Sequence, residues 1–245
     1  MKIIATVRTR NEKRNIGRFC EAYQGIANEI LIADGGSEDG TIEIAESYPK
    51  VTVLPFDQRI EVKGGHWINP QGSHVNFLFE EARKRDPDWI IFDDCDCVPN
   101  YILQKEARGY LDKALTHDRP AVFARRVYMW GEHYHFPDLH RPNTSLWAFK
   151  PGLNIHADTK DEWHLTMMQD DHNLTPLRPF ALHLEFPQCL LHFSWPTEEA
   201  ADKKVQFYRE SGVQPTARHP KDFGGKMELK EWFMSTEAPR VPSDM

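Results

Sequence analysis

Residues 88–99 read "DWIIFDDCDCVP". Trp89 to Phe92 form an apolar run without polar alternation, the pattern of a strand buried on both faces. The chain then meets Asp93, Asp94 and Asp96, interleaved with Cys95 and Cys97, before Pro99. We read a strand over 88–94 that ends in concentrated negative charge. Either the thiols or the carboxylates are the working atoms. A structural zinc site commonly uses two Cys/His pairs, and this chain has one C-x-C and no second cysteine pair. Alternate residues of a strand share a face, so Cys95 and Cys97 are expected on one side and Asp94 and Asp96 on the other. Small thiols packed under a strand end account for the cysteines. The aspartates need a different explanation.

Working outward, strands and helices alternate. "KIIATV" (2–7) reads as a buried strand, followed by a helix over 13–26 with Ile16, Phe19, Cys20 and Tyr23 at helical spacing. "EILIAD" (29–34) is a second strand ending on Asp34, and "GGSEDGT" (35–41) is a turn leading into a helix near 41–48. "VTVLPF" (51–56) is a third strand, and the glycine- and proline-containing stretch 57–72 reads as a loop. Helices are expected near 73–85 and 100–115. This alternation predicts an α/β fold, with a sheet mainly parallel in the N-terminal half and flanked by helices. Ligands of such sheets bind at the carboxyl ends of the strands, where Asp34 and the Asp94/Asp96 pair fall.

From 121 to 195 the chain is rich in Trp, His, Phe and Pro, with strand-like runs "AVFARRVYM", "SLWAFK" and "CLLHFSW". We expect this half to be partly antiparallel and to form the other wall of a cleft. A helix capped by Thr197 follows over 197–211. The expected organisation is one domain over 1–236, with a nucleotide-binding half (1–115), an acceptor half and metal-closing segment (116–211), and a loose tail (237–245).

The net charge of -7 gives no general basic surface for nucleic acid. The N-terminal apolar stretch is too short for a signal peptide, and no run approaches 18 apolar residues, so no integral membrane segment and a cytoplasmic location are expected. Four scattered cysteines do not make a disulfide framework. The histidine-containing runs "HWINPQGSH" and "HYHFPDLH" lack a zinc-binding helical spacing.

Two carboxylates one residue apart at a strand end make an oxygen-rich site. Mn²⁺ or Mg²⁺ with a diphosphate suits it, because these ions bind one or two carboxylates plus phosphate oxygens. The order of motifs resembles a family-2-type glycosyltransferase with a GT-A fold. "TRNEKRNIGRF" is similar to that family's opening strand and helix, "ILIADGGSEDGT" to its nucleotide-binding turn, "VNFLFEEARKRDPDWIIFDDCDCVP" to its Asn-led helix and D-x-D strand, and "LLHFSWPTEEAADKKVQFY" to its C-terminal segment. The likeness covers 2–115 well, 185–210 fairly and 116–184 weakly.

Carried over by residue, the resemblance implies that Thr6, Arg8, Glu12, Asp34 and Asn76 contact the nucleotide-sugar. Asp94 would lie near the ribose and the metal, Asp96 would bind the metal, and His192 would complete its shell from the second half. The cofactor would be Mn²⁺ or Mg²⁺, and the donor a UDP-linked sugar transferred with inversion. Two departures stand out: the additional Asp93, and the lack of a clear acidic motif at the second-half base position.

An inverting transfer needs a general base, normally a carboxylate. The acids in "HADTKDEWHLTMMQDD" are Asp158, Asp161, Glu162, Asp170 and Asp171. Glu162 is favoured because it neighbours Trp163 and His164, with Asp171 beside it as a catalytic candidate. The acceptor stays open among a glycan, a lipid-linked sugar, a protein and a modified nucleobase. Two other functions also stay open: an inactive nucleotide-sugar or glycan-binding module of the same fold, and a nucleotidyltransferase.

Overall fold

The structure is a computed structural model that describes residues 1–63, 65–130, 134–135, 144–160, 165–170, 172–185, 187–195, 197–211 and 227–228. The first half contains β1 (Ile3–Thr9), α1 (Ile16–Gln24), β2 (Glu29–Asp34), α2 (Thr41–Glu46), β3 (Val51–Pro55), β4 (Ile60–Val62), β5 (His66–Ile68), α3 (Gln71–Arg83), β6 (Trp89–Phe92), β7 (Cys97–Pro99) and α4 (Tyr101–Thr116). The second contains β8 (Ala121–Trp130), β9 (Tyr134–His135), β10 (Thr144–Phe149), β11 (Ile155–Ala157), β12 (Met167–Gln169), β13 (His172–Asn173), β14 (Leu182–His183), β15 (Cys189–Trp195), α5 (Glu198–Glu210) and β16 (Met227–Glu228).

The main sheet runs β16-β9-β8-β10-β6-β1-β2-β3 among the described strands. β6, β1, β2 and β3 are mutually parallel. β10 joins β6 antiparallel, and β8 joins β10 antiparallel. The fold is therefore a GT-A-like α/β fold, with a parallel N-terminal half and a mixed second half.

Period-two alternation sorts the core into two layers. Ile3, Ala5 and Val7 of β1, Ile30 and Ile32 of β2, and Trp89 and Ile91 of β6 pack with Phe19 of α1 and Leu103 of α4. Ile4, Leu31, Ala33, Ile90 and Phe92 take the opposite face, against Val75, Leu78 and Phe79 of α3. Full burial of each such large side chain contributes about 1.5–3 kcal/mol. Both faces of the parallel strands are covered, which explains their continuous apolar runs.

Two sequence expectations change. β6 ends at Phe92, not Asp94, and residues 94–97 form a turn closed by Cys97 N–H donating to Asp94 O at 2.9 Å. The strand alternation assumed for the D-x-D residues therefore does not apply. Cys95 and Cys97 are nevertheless buried, at 4% and 0% exposure. The stretch 57–72 is not simply a loop: it holds the β4–β5 hairpin and the start of α3. Thr197 caps α5 as expected, its hydroxyl accepting from Ala200 N at 3.1 Å. Among the described residues, no helix is long and apolar enough to cross a membrane.

Candidate functional site

The chain leaves β1 through α1 on one face of the sheet and reaches β6 through α3 on the other. The carboxyl ends of β1 and β6 lie side by side, and strand order reverses between them: β2 and β3 follow on one side, β10 and β8 on the other. In open α/β sheets such a switch point is the ligand crevice. Residues 10–13, 35–40 and 93–96 gather at this edge.

The first two loops are zipped together by side chains. Asn11 adopts a left-handed φ of 55°, its N–H donates to Ser37 Oγ at 2.8 Å, and its Oδ1 accepts from Glu38 N at 2.9 Å. Glu12 N–H donates to Thr41 Oγ1 at 2.8 Å, and Lys13 N–H to Asp39 Oδ2 at 3.0 Å. Asp34 organises its own turn: Oδ2 accepts from Gly36 N at 2.9 Å and Ser37 N at 2.8 Å, and Oδ1 from Thr9 Oγ1 at 3.1 Å and from Ser37 Oγ. A Cβ on Gly35 would lie 2.2 Å from Asn69 Oδ1, so this backbone passes directly under the Asn69 side chain.

At the end of β6 the charges form a row. Arg126 of β8 reaches Asp93 Oδ1 through Nη2 at 3.0 Å and Asp94 Oδ2 through Nη1 at 3.3 Å. Arg8 of β1 takes the other Asp94 oxygen, Nη2 to Oδ1, at 3.2 Å. Burial alone would raise the Asp94 carboxyl, but Arg8 and then Arg126 outweigh it and hold it well below the usual carboxylate range. Asp93 is fully buried, which pushes its pKa up to about 6 against the pull of Arg126. It also accepts from Tyr23 OH at 3.0 Å and from the Cys97 thiol. The Tyr23 oxygen in turn accepts from Trp147 Nε1 at 3.2 Å.

Asp96 faces a different partner. β15 runs antiparallel to β7, with His192 opposite Cys97, and parallel to β8. His192 Nε2 thereby lies 3.2 Å from Asp96 Oδ1. Both side chains are partly exposed, at 14% and 18%. Burial raises the Asp96 carboxyl, but the hydrogen bond and charge of His192 leave it net lowered. The Arg18 guanidinium over the Phe193 ring, 4.0 Å from its centroid, fixes β15 against α1. Lys204 of α5 adds positive charge that favours ionised Glu12 and Asp96.

The remaining expected site residues are dispersed. Thr6 is fully buried, and its hydroxyl donates to Ile91 O at 2.8 Å. Asn76 is engaged in both directions with Ala157 of β11, donating to its O at 3.0 Å and accepting from its N at 2.7 Å. Glu12 stands at the edge, hydrogen-bonded by Asn15 Nδ2 at 2.8 Å, and burial raises its pKa to about 7. Glu162 and Asp171 lie outside the described residues, as does Asp161. Asp158 accepts from Lys160 N at 3.0 Å, and the exposed Asp170 accepts from Asn154 Nδ2 at 3.0 Å, so both are turn-forming acids here.

All four cysteines are free and buried. Burial raises the Cys95 and Cys97 thiols, so neither is a ready thiolate ligand. Among the described residues, no three His, Cys, Asp or Glu side chains converge into a metal cage. Asp96 and His192 together offer one carboxylate and one imidazole, a donor set that Mn²⁺ accepts. Sequence reading missed Arg126 and the buried role of Asp93. Adjacent arginines, 125 and 126, inside an apolar strand were the available signal, since a strand must turn one of two neighbours inward.

The model of the family described as glycosyl transferase family 2 matches residues 6–156. An uncharacterized protein of Mycobacterium tuberculosis is 23% identical over 215 residues, covering 85% of this chain and 50% of that protein. An uncharacterized glycosyltransferase of Rickettsia bellii is 28% identical over 151 residues, covering 61% of this chain and 43% of that protein. The chain thus spans about half the length of the curated relatives it matches. The crystal structure of S. aureus TarS superposes with a TM-score of 0.54 at 14% identity, covering 86% of this chain and 40% of that one.

Proposed function

The chain belongs to glycosyl transferase family 2, and from that premise we propose that it transfers a sugar from a nucleotide-sugar donor, UDP-linked, to an acceptor hydroxyl with inversion. The observation that carries this reading is the Asp94–Asp96 turn at the sheet's switch point, with His192 Nε2 3.2 Å from Asp96. Asp96 and His192 would hold Mn²⁺ or Mg²⁺, which when bound supplies positive charge to the departing diphosphate.

The rest is done by the chain's own side chains. Arg8 and Arg126 hold Asp94 from both sides, so its carboxylate is fixed before a donor arrives. Glu12 and the turn built by Asp34 form the nucleoside side of the crevice. The general base is assigned to Glu162, with Asp171 as the second choice, on the sequence pattern described above. Four free, buried thiols suit a reducing compartment, and we place the protein in the cytoplasm.

The test is a panel of nucleotide-sugars with Mn²⁺ or with EDTA, read by thermal shift and by donor hydrolysis. We expect a UDP-sugar to raise the melting temperature and to be hydrolysed slowly with Mn²⁺ only. Full activity in EDTA would overturn the metal role. Metal-dependent binding with no turnover against any acceptor would favour the binding-module alternative.

A further inference from the structure

We propose that Asp93 and Arg126 are a buried pair of positioning residues, which hold the Asp94 carboxylate for the donor nucleotide and keep it off the metal ion. This rests on the proposed function and deepens it. The residue that departs from the family's D-x-D pattern is then an anchor behind the site and not an additional ligand.

Exposure rises along the row of charges. Asp93 is 0% exposed, Arg126 15%, Asp94 23% and Arg8 26%. The row runs from the core to the crevice, with alternating sign. Its inner end is immobilised by packing: Asp93 takes hydrogen bonds from Tyr23 and Cys97, both fully buried, and Tyr23 is itself held by fully buried Trp147. A guanidinium is planar, so Arg126 with one nitrogen fixed on Asp93 has its other nitrogen directed at Asp94.

Both Asp94 oxygens are consequently occupied, one by Arg126 and one by Arg8. An ion at this edge meets an Asp94 whose charge is already neutralised, whereas Asp96 faces the His192 imidazole and no arginine among the described residues. The arrangement is also poor as stabilisation. Among the described residues, Arg8 Nε and Arg126 Nε are both buried without a hydrogen-bond partner, and a buried unsatisfied donor is costly. A fold that keeps two such donors around one carboxylate is holding that carboxylate in place.

A positioning role and a merely structural role predict different signs. Removing Arg126 frees one Asp94 oxygen toward the ion and leaves the nucleotide's contact group held by Arg8 alone. The experiment compares wild type, Arg126→Gln and the double variant Asp93→Asn/Arg126→Gln, which removes both charges together and avoids stranding a buried carboxylate. Mn²⁺ binding without nucleotide is read from the electron paramagnetic resonance signal of free Mn²⁺, and UDP binding in saturating Mn²⁺ by calorimetry.

We expect Mn²⁺ alone to bind about threefold or more tightly in both variants, because one of the two arginines neutralising Asp94 has been removed. UDP should bind about tenfold more weakly, because its contact group is no longer fixed. If folded variants lose Mn²⁺ and UDP affinity together, or change neither, the positioning role is overturned while the function stands. If wild type itself binds neither Mn²⁺ nor UDP, the functional reading falls and takes this inference with it.

Discussion

His192 Nε2 lies 3.2 Å from Asp96 Oδ1, and the backbone beside them is tied as well, Phe193 N–H donating to Asp96 O at 2.6 Å. The two bonds are independent, so the side-chain pair can be altered while the strand contact remains. Asp96→Asn should melt within a few degrees of wild type without metal, yet lose the Mn²⁺-dependent thermal shift given by UDP. A mutant that keeps that shift would remove Asp96 from the metal site.

His192→Ala should act differently. Mn²⁺ accepts imidazole beside carboxylate, whereas Mg²⁺ prefers oxygen. The variant should lose the preference for Mn²⁺ over Mg²⁺ while UDP still binds. Calorimetric titrations with each ion check this, and an unchanged ion preference would refute it.

His74 gives the stability a pH dependence. It is 2% exposed, its Nε2 lies 2.9 Å from Ala33 O, and its ring stacks on Phe56 at 4.1 Å. Burial lowers its pKa from 6.5 to about 4. The unfolded chain therefore takes up this proton first as pH falls. Its contribution is complete above pH 6.5 and is lost between 6.5 and about 4, amounting to about 3 kcal/mol. Urea titrations across that window should show a steeper loss for wild type than for His74→Gln.

Glu12 acts with the opposite sign. Its raised pKa means that the unfolded chain ionises from pH 4.5 while the folded chain keeps its proton until about 7. Stability declines over that window, so the two groups partly mask each other in a wild-type curve. Glu12→Gln should match wild type near pH 4 and exceed it by about 1–3 kcal/mol above pH 7, in the absence of nucleotide. Equal stability at pH 8 would show that folding does not raise the Glu12 pKa.

Gly35→Ala should destabilise by about 1–3 kcal/mol, because the new Cβ meets Asn69 Oδ1 at 2.2 Å. Asn69 is itself held, donating to Gly35 O at 3.3 Å and Gln58 O at 2.9 Å. Pairing the substitution with Asn69→Ala should recover part of the loss. Additive losses in that double-mutant cycle would place the cost elsewhere.

Much of this architecture was legible because period-two apolar runs and short turns mark parallel strands directly. β2 falls at 29–34 as read, and the acids at the ends of β2 and β6 meet at one edge as expected. The β4–β5 hairpin was missed although Gly64 and Gly65 separate the short runs "IEVK" and "HWI", a hairpin signal that the surrounding prolines and glycines obscured. β6 stops at Phe92, and Asp93 beyond it is buried between Tyr23 of α1 and Arg126 of β8, partners supplied by elements distant in sequence. No local pattern carries that information. The same holds for Asn76, whose grip on Ala157 depends on where β11 docks.

The placement of β15 between β7 and β8 has a consequence for biosynthesis. A chain emerging from the ribosome exposes Asp94 and Asp96 first, then Arg126, and His192 only after β8 and β10 have been made. The early parallel strands can pair while that edge still lacks its imidazole. Closing it requires contacts between segments remote in sequence, which form late. The crevice is therefore assembled last, and on the proposed function metal-dependent nucleotide retention would assay the completed maturation of nascent chains.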